Sequence, residues 1–288
     1  MFLEKVLKQI LSISLTTTDP AFFILSGLVP VEAIIHLRAL SLFGNIALPD
    51  DSSIEKRLAY RQLTIHGHTR SSWFSNLAII TTKYELPNPM EILMDPVSKS
   101  QWKTITIRAV YAYWGRRIKQ QALTYSSLKY LSVDHYNPWK IHSFLRITET
   151  QTRSREVNRL PVKTKIVTST YSMQSTRAAF NNLNVDPTCL LCKTSSETLE
   201  HFILHCTKLQ HMRFQILHDI ASACGENINF SQLCSREQLR IMLDVYSTVD
   251  VVHKRNTKYL AEIDRHTQRL CHALHCERKN YSHFYLRE

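Results

Sequence analysis

The sequence predicts an all-α, mostly helical protein that carries a small zinc-knuckle-like Cys-Cys-His-Cys motif. Three observations lead there. Apolar residues recur three and four apart along most segments, while strand-like alternation is scarce. The 288 residues are 44% apolar, enough for a sizeable core. Only five glycines and nine prolines occur, with no biased tract and no repeat at a fixed period, which argues against disorder, solenoids and long linkers.

The start, MFLEKVLKQILSISL, sets Glu4, Lys5 and Lys8 at helical spacing. It lacks the basic cap and unbroken apolar core of a signal peptide, so the chain is expected to stay inside the cell, in nucleus or cytoplasm. Asp19-Pro20 supplies a cap followed by a first-turn proline, and Pro30 opens PVEAIIHLRALSLF. Between them, residues 21–31 form the longest apolar stretch, interrupted by Gly27 and Pro30 and well short of the ~20 residues that span a bilayer; no membrane is expected as a partner. Ser52 and Glu55 have capping-box spacing for the helix that begins IEKRL.

The strongest element runs from near Ser98 to about Leu131. Ile107, Val110, Trp114 and Ile118 line one face, and Arg116, Arg117 and Lys119 crowd its middle. KTKIVTSTYSM reads equally as strand or helix. The turn formers Asn181, Asn182, Asn184, Asp186 and Pro187 mark a boundary, giving a basic helical region over 1–180, a metal-binding motif over 181–223 and C-terminal helices over 224–288. A helix is expected around Gln210–Ala223, and a long closing helix from about Val251 to Arg278.

Charge points to a polyanion. The formal net charge is +12, and the segment from Lys99 to Arg177 holds fifteen bases against three acids, which accounts for the whole excess. Such a run repels itself unless an anion lies against it, so RNA or DNA is the expected partner, held mainly through phosphates. The candidate contacts are Arg108, Arg116, Arg117, Lys119, Arg153, Arg155, Lys163 and Lys165. Trp102, Tyr111, Tyr113, Trp114, Tyr130 and Trp139 interleave with these bases, and most of them read as core.

All seven cysteines fall in the last hundred residues, an odd number that favours metal binding over disulfides in a reducing compartment. CLLCKTSSETLEHFILHC spaces Cys189, Cys192, His201 and Cys206 as Cys-x2-Cys-x8-His-x4-Cys, a ligand set for one structural Zn2+ with no position left for water. Ser196 or Thr198 can cap a short helix carrying His201. On an ideal helix a five-residue step turns through about 140°, so that helix must end or kink near Cys206, with Thr207 able to cap the next one. Two alternatives stand beside this set: His205 in place of Cys206, or buried cysteines without metal. A second cluster, Cys271, His272, His275 and Cys276, offers no further paired ligands and reads as helix packing and surface.

On these residues the chain resembles the C-terminal region of reverse transcriptases encoded by animal non-LTR retrotransposons. The resemblance runs nearly end to end through PVEAIIHLRALSLFGNI, SWFSNLAIITTKYELPNP with the following QWK, SSLKYL, YSMQSTRAAFN, the metal motif with its trailing His211-Met212-Arg213, and LCHALHCER. It implies the four zinc ligands named above and a part in holding template RNA or target DNA. Lys193 departs from the pattern, standing where the family often has glycine after the second cysteine.

The aromatic-x-Asp-Asp hairpin that holds a polymerase's two metal ions does not occur in the sequence. Asp50-Asp51 is explained by helix capping, and Asp50 with Glu277 and Lys279 makes a poor nuclease set. A non-catalytic nucleic-acid-binding module, a fragment or relic of such a polymerase, is therefore expected. The same scaffold without nucleic acid reads as a protein-interaction module, which a large exposed apolar patch would favour.

Overall fold

The computed structural model describes residues 2–66, 72–134, 136–143, 145, 154–180, 185–224, 228–247 and 257–285. Among them there is no strand; two isolated bridges, Asn137 with Lys140 and Thr188 with Ser196, are the sole extended pairings. The α-helices are α1 (Phe2–Ile10), α2 (Asp19–Ser26), α3 (Val31–Ala47), α4 (Ile54–His66), α5 (Trp73–Lys83), α6 (Pro89–Met94), α7 (Lys99–Leu123), α8 (Ser154–Val157), α9 (Leu160–Val167), α10 (Gln174–Phe180), α11 (Gln210–Cys224), α12 (Ser235–Leu243) and α13 (Thr257–Tyr285). The ambiguous KTKIVTSTYSM falls in α9 and the turn after it. No single described helix is long and apolar enough to cross a membrane.

The chain divides into two compact units, one of residues 1–27 with 121–288 and the other of residues 28–120. This differs from the expected boundaries near 180 and 223, and backbone pairing distant in sequence explains why. Trp139 N–H donates to Gly27 O at 2.6 Å and His142 N–H to Leu25 O at 2.9 Å, which joins the first residues to the late ones. Gly27 has φ +67°, and a Cβ there would meet Lys140 O at 2.2 Å, so this junction requires glycine. Short-range turn chemistry near residue 187 carries no information about which distant segments meet; residues 181–184 lie outside the described residues.

In the unit of residues 28–120, α3 to α7 enclose a core of Leu40, Phe43, Leu77, Leu93, Trp102 and Trp114, among others. Trp102 Nε1 donates to Leu40 O at 2.8 Å, and its ring lies where a Cβ on Gly44 would stand, 2.3 Å from Cδ1. Trp114 Nε1 donates to Tyr84 Oη at 3.0 Å. Most of the interleaved aromatics are thus core with their polar atoms partnered, as expected; Trp139 is the exposed one. One expected cap differs: Ser53, not Ser52, receives the Lys56 N–H and donates to Glu55, because Ser52 is taken up by Asp50.

In the other unit, α2 is buried from Pro20 to Ser26, and α9 and α11 lie against α13. The α9–α13 contact holds a fully buried ion pair between Lys163 and Asp264, with Gln268 Nε2 donating to the other carboxylate oxygen at 2.8 Å. Lys163 was expected at a phosphate. Its ammonium is instead enclosed in the core, because an acid 101 residues further along the chain is the partner that its helix face meets.

Candidate metal centre

The metal loop begins as a tight turn. Cys189 N–H donates to Ser195 O and Lys193 N–H to Cys189 O, both at 2.8 Å, so the two residues between Cys189 and Cys192 bring both thiols to one side. Lys193 takes φ +55°, the left-handed conformation that glycine adopts without strain. A bridge between Thr188 and Ser196 closes the loop.

Thr198 then accepts the His201 N–H on its hydroxyl at 3.1 Å and starts the helical segment that carries His201. The turn from His201 to His205 is π-helical, and Cys206 N–H donates to His201 O at 2.7 Å. That wider turn resolves the five-residue problem, since an i to i+5 closure returns Cys206 to the side of His201. Cys206 itself has ψ 116° and stands at the cap of a short 3-10 turn that Thr207 opens, so the capping position falls to Cys206, not to Thr207.

The four donors converge. One atom each from Cys189, Cys192, His201 and Cys206 lies within 4.8 Å of all the others, so the cluster offers four ligands to a single metal ion. Cys189 and Cys206 sulfurs stand 3.8 Å apart, and Cys192 Sγ is 3.3 Å from His201 Nε2. A tetrahedron with metal–sulfur bonds of ~2.3 Å has a sulfur–sulfur edge of about 3.8 Å, so the first distance fits directly. His205 is not a member: exposed, it meets Ser235 Oγ at 3.2 Å and the Glu200 carboxylate at 3.5 Å.

Burial pushes the Cys189 thiol up to about 12 and raises Cys206 as well. Burial works against Cys192 too, but hydrogen bonds from Thr194, Cys189 and His201 draw it down to about 6. A thiolate is the form that ligates a metal, and a bound cation would favour the ionised form of all three thiols.

Several residues that sequence reasoning passed over hold this loop. Arg213, buried in α11, donates to the carbonyls of Leu204 and Cys206 and places a guanidinium beside the sulfur cluster. Glu197, fully buried between Cys192 and His201, accepts the Gln174 N–H at the start of α10 at 2.8 Å and two bonds from Arg278 of α13, at 2.9 and 2.7 Å. Arg278 stacks over Tyr171 and Phe202, and Tyr171 Oη meets His275 Nδ1 at 2.9 Å. Only the coincidence of a buried-looking acid inside the motif with a base in LCHALHCER signals this, and spacing cannot reveal it.

No protein-family model, curated protein or solved structure matches this chain.

The second Cys-His cluster is divided among different tasks. Cys271 is core, His275 faces Tyr171, and Cys276 is exposed with His272 Nδ1 at 3.6 Å. The expected phosphate contacts divide as well. Arg108, Arg116 and Lys165 are exposed, and Lys119 is partly so. Arg117 Nη1 donates to Tyr113 Oη at 3.0 Å, and its guanidinium lies over Trp114 at 5.4 Å, so it belongs to the packing of α7 as much as to its surface. Arg153 and the Arg155 side chain lie outside the described residues.

Proposed function

We propose that this chain is a zinc-stabilised, non-catalytic nucleic-acid-binding module of the kind that the resemblance to non-LTR retrotransposon reverse transcriptases implies. The observation that carries the reading is the four-donor cluster, whose three thiols and one imidazole suit Zn2+ in a closed tetrahedral site. A ligand set of three thiols is best protected from disulfide formation in a reducing compartment, which fits an intracellular location.

The partner is RNA or DNA bound through its phosphates. Arg108 and Lys119 are separated by three helical turns and lie on one line of α7, with Arg116 one turn before Lys119. Exposed bases in such a row suit a backbone better than bases, so sequence preference is weak. The pair between Arg116 and Glu85, at 3.8 Å and largely exposed, is too weak to compete with a polyanion.

A salt titration tests this. Affinity for single-stranded RNA or DNA falls with salt by a log-log slope of roughly −0.7 per phosphate contacted, so replacing Arg108, Arg116 and Lys119 with alanine is expected to reduce the slope by about 2. The loss should be similar across unrelated sequences. An unchanged slope would reduce these bases to solvation of the helix, and absence of binding by wild-type protein at low salt would end the nucleic-acid reading.

A further inference from the structure

Residues 137–140 form a tight turn in the unit of residues 1–27 with 121–288. Asn137 O accepts the Lys140 N–H at 3.0 Å, Pro138 takes the second position, and Trp139 has φ +66° at the third. This is the pattern of a type II turn, whose third position favours glycine because a side chain there crowds the backbone. Here it carries a tryptophan. The other described residues with a side chain and a positive φ are Ser12, Glu85, Ser169 and Lys193, so Trp139 is the one ring among them.

The turn is pinned to the body of the unit. Trp139 N–H donates to Gly27 O at 2.6 Å and His142 N–H to Leu25 O at 2.9 Å, which ties the turn to the end of the buried helix α2. Tyr136 and His142 are buried on either side, whereas Asn137, Trp139 and Lys140 are exposed, Trp139 by 54%. Trp102 and Trp114 contribute to stability by burial in the core; Trp139, left more than half in water, contributes little that way. A bulky side chain held at positive φ on a fixed backbone, without the reward of burial, directs attention to what that side chain does outside the fold.

We infer, on the nucleic-acid reading of this chain, that Trp139 is a stacking platform for a base of a single strand, with Lys140 beside it for a phosphate of the same strand. Stacking needs a π face that is held rigidly in water, and the pinned turn supplies one. It tolerates every base, in keeping with weak sequence preference. Base faces inside a duplex are covered by their neighbours, so the platform selects single strands. A protein surface is a poorer occupant: a tryptophan anchor in such an interface works inside a surround that excludes water, and the exposed chain neighbours here are the polar Asn137 and Lys140 with the single aliphatic Ile141.

Fluorescence anisotropy of the full-length protein with labelled oligothymidylate, and with an abasic strand of the same number of phosphates, tests the inference. Wild-type protein is expected to prefer the base-bearing strand, and Trp139→Ala should shrink that preference by about tenfold, the order that one stacked base contributes. Trp139→Tyr, which keeps a ring, should retain most of it. Affinity for the abasic strand and for duplex DNA should be the same for wild type and Trp139→Ala, as should the salt slope, because no phosphate contact is lost. Alanine keeps the Cβ, and the side chain is exposed, so the circular dichroism spectrum should not change. An unchanged preference in Trp139→Ala overturns the inference, as does a variant that loses affinity equally for both strands and the duplex, the mark of a structural role. Wild-type protein that binds both strands alike removes the stacking and leaves the phosphate reading standing. No binding of either strand at low salt removes both.

Discussion

The metal loop and helix α7 handle charge in contrasting ways. In the loop the buried charges have their opposites within the fold: Arg213 stands beside the thiols, Glu197 takes a bidentate bond from Arg278, and three thiolates around a divalent ion would leave one negative charge for Arg213 to balance. Along α7, Arg108 and Arg116 are exposed, and Arg116 meets only the solvent-facing carboxylate of Glu85, at 3.8 Å. A closed arrangement of charges stabilises a fold, whereas an open one suits contact with an anion. Under the proposed function the loop contributes stability and α7 contributes binding, and each can be tested against the other.

The largest effect is expected from breaking the closed arrangement at its centre. Ligation of a structural zinc contributes on the order of 10 kcal/mol, so a strong chelator, or Cys192→Ser, should unfold the loop. Mass spectrometry should find one zinc per wild-type chain and none in the variant. Through Glu197 and Arg278 the disruption reaches the start of α10 and the end of α13, where amide exchange should accelerate while amides of α3 to α6 keep their protection. Metal-free wild-type protein with undiminished stability would sink the metal reading.

The next effect falls on a base of the same sequence stretch as α7 that nevertheless belongs to the closed kind. Lys163→Met strands Asp264 in the core, and loss of one partner of a buried pair costs about 3–5 kcal/mol in chemical denaturation. The double variant Lys163→Met/Asp264→Leu should recover most of that loss, since an apolar pair of similar volume needs no desolvation. Neither should change the salt slope of nucleic-acid binding. A reduced slope with stability intact would return Lys163 to the phosphate contacts.

These contrasts explain what the sequence could and could not disclose. Helices were legible because burial imposes a 3.6-residue period, and Val110, Trp114 and Ile118 are buried as their spacing required. The ligand set was legible because four donors for one ion must come in close pairs, and because an ideal helix could not present His201 and Cys206 together, which the π-turn then answered. Charge was not legible in the same way. Arg108 and Lys163 look alike in a list of bases, and what separates them is Asp264, on a helix that local spacing cannot place. The two units were hidden for the same reason, since their boundary rests on pairing between Gly27 and Trp139.

The smallest expected effect sharpens the comparison within the loop itself. Lys193 occupies a left-handed conformation at φ +55°, where a residue with a Cβ pays roughly 1–2 kcal/mol relative to right-handed backbone. Glycine removes that strain but gives the unfolded chain more freedom, worth about 0.5–1 kcal/mol in the opposite direction. The net expectation for Lys193→Gly is a gain of about 0.5–1 kcal/mol in the zinc-loaded protein, with the Lys193 N–H bond to Cys189 O retained. Lys193→Ala serves as the control: it removes the same charge, keeps the Cβ, and should leave stability nearly unchanged. Parallel denaturation of the three proteins distinguishes backbone strain from the loss of a cation near the thiolates. Equal stabilisation by alanine and glycine would assign the effect to charge and leave the turn's conformation without energetic consequence.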